Sequence, residues 1–373
     1  MAHASPAAPA AHPLSRLSLI PPPQNGPFPA YDRIQPSHVV PGVRSLLADL
    51  ASDLDGLEAR LASPTAPPPT WEGVVVPYET ITDRLDRVWG AVDHLKAVRD
   101  SADLRAAVDT VQPERVSFGL RLSQSRPLFD AFTALKANTP AWGALTPAQH
   151  RAVANELRDF TLGGVGLDGA ARTRFNEIQQ RLSALSTSFS NHLLDATKSW
   201  SRLITAPAGV EGLPETARAL TAQQAAAAGH KGATAEAGPW LVTLDAPVFT
   251  PVMTHAADRA LREDVYRAYV TRASAPGTED DNLPLMDETL KLRKEKAALL
   301  GFPSFAALSM ASKMATEESA GGLLEQLRAA SRGAAEAEMK EVEAYARAHA
   351  FPKDAQFLNW DVTYYAERVR EEK

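Results

Sequence analysis

Nine histidines are the first place to look for chemistry in this chain: His3, His12, His38, His94, His150, His192, His230, His255 and His349. Two imidazoles at i and i+4 on a helix, with a Glu between them, would bring two zinc ligands and a general base to one face. No two histidines here have that spacing, and no His-Glu-x-x-His occurs. The Gly-x-Ser-x-Gly elbow of serine hydrolases is missing, as is the Gly-x-x-x-x-Gly-Lys-[Ser/Thr] phosphate loop. The 373 residues include no cysteine, which excludes a thiol nucleophile, a disulfide framework and Cys-ligated zinc or iron–sulfur centres.

Four weaker groupings remain. Gly164-Val165-Gly166-Leu167-Asp168-Gly169 matches the dinucleotide fingerprint letter for letter. That motif works only between a strand and a helix, where the helix N-terminus meets a pyrophosphate. Here it follows Glu156 to Phe160, which reads as helix, so the expectation is a helix-to-helix connection with Gly163-Gly164 as C-cap. Asp245, His255 and Asp258 lie close in sequence and could form a metal or acid–base site. A structural or surface role is the commoner use of such a group. Arg259, Arg262, Glu263, Asp264, Arg267 and Arg272 read as a mixed-charge helix face, solvated or salt-bridged. Tyr266 and Tyr269 are either substrate contacts or helix-packing aromatics.

The chain that must position these residues is long enough for two domains and for a large core. Its formal charge of −6 argues against a dedicated nucleic-acid partner, which carries a basic stripe. No apolar run approaches the roughly 18–20 residues of a membrane span. Residues 1–29 are Ala/Pro-rich, with one Arg and no acidic residue. A disordered tail is expected there, with an organellar transit peptide as the alternative.

From Tyr31 onward the chain reads as mostly helix. Val39 to Leu61 is predicted helical, starting after Ser37, and Thr70 is a candidate N-cap. Ile81, Leu85, Val88, Val92 and Leu95 form one helical stripe. Leu104 to Leu135 continues, with interruptions expected at Pro113 and Pro127; Pro147 suits a first helical turn after Thr146. Between Ala170 and Ala206, apolar residues from Phe175 to Leu203 step by three and four with no Gly or Pro, predicting one long helix packed inside a helical domain. Trp240 to Leu244 is the best strand candidate. Helices are predicted over about 254–272, 284–299, 303–312 and 317–349. Asp361 is read as the N-cap of a last amphipathic helix, which stops at Lys373 with no Gly, Asn or Pro signal and so reads as interrupted.

Several stretches together resemble the oligopeptidase A branch of the thimet oligopeptidase family of zinc metallopeptidases. Ile34-Gln35-Pro36-Ser37-His38-Val39-Val40-Pro41 is similar to that branch's opening motif, and Thr70-Trp71-Glu72 and Val92-Asp93-His94-Leu95 to its next helices. Leu157-Arg158-Asp159-Phe160 with Gly164 to Leu167 resembles the domain junction, which accounts for the glycines without a nucleotide. Leu194-Asp195-Ala196-Thr197, Leu261-Arg262-Glu263, Tyr266 to Tyr269, Thr271 to Ser274, Leu299 to Phe302, Lys313-Met314-Ala315 and Trp360-Asp361-Val362 extend the likeness to the end.

The resemblance implies a mainly α fold: a long-helix N-terminal lobe over 30–168, then, over 169–373, the beginning of the helical catalytic domain, with minor β near 240–250. It implies an ellipsoid split by a deep channel that admits short peptides. In the family, zinc is held by the two His of His-Glu-x-x-His and a downstream Glu, all in the C-terminal half. No catalytic or metal residue is therefore expected in this chain, its substrate-binding residues are unknown, and no zinc is expected to bind it alone. The implied partners are short peptides and a missing C-terminal catalytic portion, with neither nucleic acid nor membrane. The implied location is cytoplasmic, or chloroplast or mitochondrion if residues 1–29 are a transit peptide. The function expected is that of the N-terminal portion of a zinc endopeptidase, inactive alone; the alternative is a non-catalytic helical lobe that binds peptides or regulates.

Overall fold

The computed structural model describes Leu14, residues 29–349 and residues 351–373. The tail expected over 1–29 lies outside the described residues, apart from Leu14 and Pro29. Sixteen elements follow in chain order. They are α1 (Pro36–Leu61), α2 (Val76–Val98), α3 (Ala102–Ser123), α4 (Arg126–Ala137), α5 (Thr139–Gly143), α6 (Pro147–Leu162), α7 (Gly169–Ser199) and β1 (Ser201–Ile204). Then come α8 (Glu215–Ala227), β2 (Trp240–Thr243), α9 (Ala246–His255), α10 (Arg259–Val270), α11 (Leu283–Leu299), α12 (Phe305–Met310), α13 (Glu317–Ala348) and α14 (Asn359–Glu372). The fold is mainly α, as expected, with one small sheet. The chain divides into two compact units, one comprising residues up to Ser183 with Leu292–Met314, the other Ala184–Lys291 with Ala315–Lys373.

In the first unit, α1 starts at Pro36, earlier than expected. Gln35 closes a capping box, its backbone amide donating to His38 Nδ1 at 3.2 Å. Val39, Val43, Leu46, Leu50, Leu54 and Leu57 step by three and four and are all buried in one core, with Val108, Val111 and Phe118 of α3. Ion pairs flank that packing: Arg44 with Glu114 at 2.7 Å, and Arg121 with Asp55 and Glu58. The α2 stripe from Ile81 to Leu95 is buried as its period requires. Thr70 caps as expected, accepting the Gly73 amide at 3.1 Å ahead of a π-helical turn, Trp71–Val75. Thr146 and Gln149 form a capping box at the start of α6.

The interruption expected at Pro113 does not occur; α3 runs through it to Ser123. Proline inside a helix costs about 3 kcal/mol. Burial of Val108 and Val111 before it and Phe118 and Leu122 after it outweighs that cost. The interruption expected at Pro127 is present: the chain breaks at Ser125, which leaves Pro127 in the first turn of α4, and the Ser125 hydroxyl accepts the Leu128 amide and donates to Glu58 at 2.6 Å.

The glycine-rich junction is a helix terminus. Val165 N–H donates to Phe160 C=O and Gly164 N–H to Thr161 C=O, both at 3.1 Å. This is the Schellman pattern, which needs a left-handed residue. Gly164 supplies it at φ +87°. The motif follows α6, not a strand, so the dinucleotide reading lacks its structural context. Phe160, at the end of α6, joins Phe132, Phe129 and Tyr78 with ring centroids 5.6–6.2 Å away.

In the second unit, the long periodic stretch ends as helix at Ser199, not near Ala206. Helix α7 still has 31 residues, about 46 Å at the usual rise. Residues Ser201–Ile204 form β1, paired antiparallel with β2 in the register Ser201↔Thr243 to Ile204↔Trp240. That partner lies some forty residues away, where periodicity cannot see it. The strand expected at Trp240 is present, with Trp240 and Val242 buried. They share a core with Val248, Val252, Leu261, Val265 and Trp360. The helix expected over 254–272 is two helices. Helix α9 begins at Ala246, and Asp258 caps α10 by accepting the amides of Ala260 and Leu261.

Two outcomes are expected. Gly164→Ala forces a Cβ into the left-handed region, 3.1 Å from Leu167 Cδ1. It should cost about 1–2 kcal/mol in urea unfolding. Burial holds the half-buried Glu156 carboxyl above its ordinary value, against a hydrogen bond with Tyr78 that lowers it. Its favourable contribution is then present below pH 4.5 and is lost as pH rises through the folded value. Stability of Glu156→Gln relative to wild type should therefore rise as pH rises from 4.5 toward neutrality, and a flat difference in urea titrations would contradict this.

Candidate functional site

A cluster of charged and aromatic side chains in the second unit lies where α9, α10 and α14 meet. Arg262 is 1% exposed and Asp361 is fully buried. A buried charge is tolerated only when paired and fully hydrogen-bonded. Arg262 satisfies this: Nη2 reaches Asp361 Oδ1 at 3.2 Å, Nε donates to Trp360 C=O at 3.0 Å, and Nη1 donates to Ala256 C=O at 2.7 Å. Burial still pulls the guanidinium below its ordinary value, opposed by Asp361. Arg259 grips the same carboxylate bidentately at 2.9 and 2.8 Å, which raises its own value. Asp361 Oδ2 also accepts the Leu358 amide at 3.1 Å.

Asp361 is thus not the N-cap but the third residue of α14. It reaches back to the N-cap amide while anchoring two arginines from α10. The helix face read as solvated or salt-bridged is salt-bridged, with its central arginine turned inward. Periodicity marks Arg262 as neighbour to Leu261 and Val265, but no local signal names a carboxylate 99 residues away.

Asp245, His255 and Asp258 do not come together. Asp245 pairs with Lys198 at 2.7 Å and accepts from Thr243. Asp258 is the cap of α10. His255, the last residue of α9, meets Glu367 and Glu371, one turn apart on α14. Among the described residues this is the one group of three His/Cys/Asp/Glu whose ligand atoms lie within 4.8 Å of one another. Arg368 donates to His255 Nδ1 at 3.1 Å and pairs with Glu371 at 2.8 Å, so a guanidinium lies against two of the three. Glu367 pairs with Arg370, which holds its carboxyl below the ordinary range. Gly212 closes on the same helix end: at φ +83°, a Cβ there would stand 2.1 Å from His255 C=O.

Tyr266 and Tyr269 are packing residues. The Tyr266 hydroxyl accepts from Asn359 at 2.8 Å, and its ring tilts against Trp360. Tyr269 stacks on Phe249 at 3.9 Å, with the Arg272 guanidinium 3.6 Å from its centroid. In the first unit a cavity of about 350 Å³ opens beside the start of α1, bounded by Asp32, Gln35, Leu95, Arg99 and Leu104. It has no histidine and no nucleophile paired with a base. Among the described residues no helix is long and apolar enough to cross a membrane.

The arrangement is a mainly helical scaffold braced by a buried ion pair. Two family models match it in order: the neurolysin/thimet oligopeptidase N-terminal domain over residues 43–172, and peptidase family M3 over residues 252–373. The chain is 47% identical over 350 residues to the organellar oligopeptidase A, chloroplastic/mitochondrial, of Arabidopsis thaliana, covering 94% of this chain and 43% of that protein. It is 46% identical to a second Arabidopsis protein, named "Probable cytosolic oligopeptidase A", covering 94% and 49%. Identity to oligopeptidase A of Salmonella typhimurium is 38% over 348 residues, covering 92% and 49%. This chain belongs to the thimet oligopeptidase family of M3 peptidases, on its oligopeptidase A branch. It spans about half the length of these relatives.

Removing the brace isolates its contribution. Asp361→Asn leaves Arg262 buried without a counter-charge and should destabilise the chain by roughly 3–5 kcal/mol. Denaturant unfolding of the variant checks this, and a loss below 1 kcal/mol would show that the pair is dispensable.

Proposed function

We propose that this chain is the N-terminal portion of an oligopeptidase A-type zinc endopeptidase that hydrolyses short peptides. Residues 30–168 serve as its helical N-terminal domain and residues 169–373 as the opening of its catalytic domain. The observation that carries the reading is the order of the two family matches along one chain, combined with a length about half that of the relatives. In this reading zinc supplies the Lewis acid and the activated water of the whole enzyme. The ligands come from outside residues 1–373 in this reading, because the sequence holds no His-Glu-x-x-His. This chain's own part is to provide walls for the peptide and a rigid base for the catalytic half. The relatives' names support either a cytosolic or an organellar location.

The test compares residues 1–373 alone with a fusion in which they are joined to the part of the cytosolic Arabidopsis relative beyond the aligned half. The fusion should retain one zinc per chain and cleave a quenched short peptide, with activity lost on chelation and restored by zinc. The chain alone should do neither. Stoichiometric zinc and chelator-sensitive cleavage by residues 1–373 alone would overturn the proposal.

A further inference from the structure

Helix α13 has two faces with opposite fates. On one, Glu325 pairs with Arg328 and Arg332 with Glu336, at 2.8 Å in each case. Such i,i+3 and i,i+4 pairs suit a solvated helix face. On the other, Ala320, Leu323, Leu324, Leu327, Ala330 and Ala334 recur at helical spacing. Leu323, Leu324 and Leu327 are 57%, 67% and 57% exposed. A helix whose polar face is saturated with its own ion pairs while its leucine stripe is bare lacks the burial that stabilises amphipathic helices. Further along the same face the stripe is covered: Val342 and Tyr345 pack with Phe351 and Tyr365 of the cluster between α13 and α14.

We propose that the bare end of this stripe is the seat of the remaining half of an oligopeptidase A-type polypeptide. The inference rests on the function proposed above. Two observations choose the occupant. The stripe is continuous with a packing already made within the peptidase-family region, over 252–373. The relatives carry about as much chain again as this one, as the 43–49% coverage shows. The partner surface is therefore apolar, and it extends the Val342–Tyr345 contact toward Ala320.

The absence of cysteine makes a clean probe possible. Single variants Leu324→Cys and Leu327→Cys report on the stripe, and Ala329→Cys on the opposite face, where no ion pair is disturbed. Maleimide labelling is measured at low micromolar concentration in residues 1–373 alone and in the fusion described above, with any cysteine of its second half replaced by serine. In the chain alone all three should label at similar rates. In the fusion, positions 324 and 327 should slow by about tenfold or more, as expected when a site is open in fewer than one molecule in ten. Position 329 should be unchanged. Fast labelling at every position in a fusion that cleaves peptide overturns the seat and leaves the functional reading standing. Slow labelling at 324 and 327 in the chain alone overturns it too. A dependence on concentration would then identify a second copy as the cover, and none would identify cover from within the chain. A fusion without zinc or cleavage overturns the functional reading and the seat with it. As a second measurement, Leu324→Glu with Leu327→Glu should leave the unfolding midpoint of the chain alone unchanged and lower that of the fusion. Equal loss in both would mean that the stripe is already packed.

Discussion

A carboxylate with no water around it must be neutralised by what folds next to it. Asp361 meets that demand with two guanidiniums from α10 and one backbone amide of its own helix. The consequence is positional. Helix α14 cannot slide or rotate against α10 without stranding a buried charge, a far higher cost than any exposed ion pair represents. Arg262 extends the constraint to the end of α9 through the carbonyls of Ala256 and Ala257. Three helices separated by up to a hundred residues are held in one register by one carboxylate, and His255, Trp360 and the tyrosines take their places around it.

The first unit is held differently. Its core is aliphatic along α1 and α3 and aromatic around Phe132 and Phe160, with ion pairs only at the margin. Hydrophobic burial is non-directional, so registry there comes from interdigitation and from caps. Thr70, Ser125 and Thr146 each accept an amide at a helix start, and Gly164 ends α6 by adopting a conformation that other residues resist. At these starts a side chain answers one of the unpaired backbone amides, and at the end of α6 a glycine lets the chain turn back on the last carbonyls.

The second unit is uneven. A buried ion pair ties α10 to α14, whereas most of α13 lies open to solvent with its leucines uncovered. A domain that carries part of a larger catalytic body would have this uneven character: closed where its own residues complete each other, and bare where something else completes them.

Much of this was legible in the residues themselves. Helical stripes such as Ile81 to Leu95 and the caps at Thr70 and Thr146 are local, and local periodicity and hydrogen bonding decide them. The absence of a His-Glu-x-x-His motif, and the family resemblance, also needed no coordinates. Other features depended on partners far away along the chain. The stretch at Ser201–Ile204 continues a helical period but becomes a strand, because Trp240–Thr243 offers it backbone partners. Pro113 stays inside α3 because both sides of it are buried. Asp361 looks like a cap, and Arg262 like part of a solvated or salt-bridged face, until the fold buries one against the other. His255 is drawn away from Asp245 and Asp258 to Arg368 and the two glutamates of α14. The sequence by itself determined most of the helices, some of their caps and the family resemblance; tertiary structure decided where several helices end and which charges are buried and paired, because desolvation and pairing depend on distances that no sequence spacing encodes.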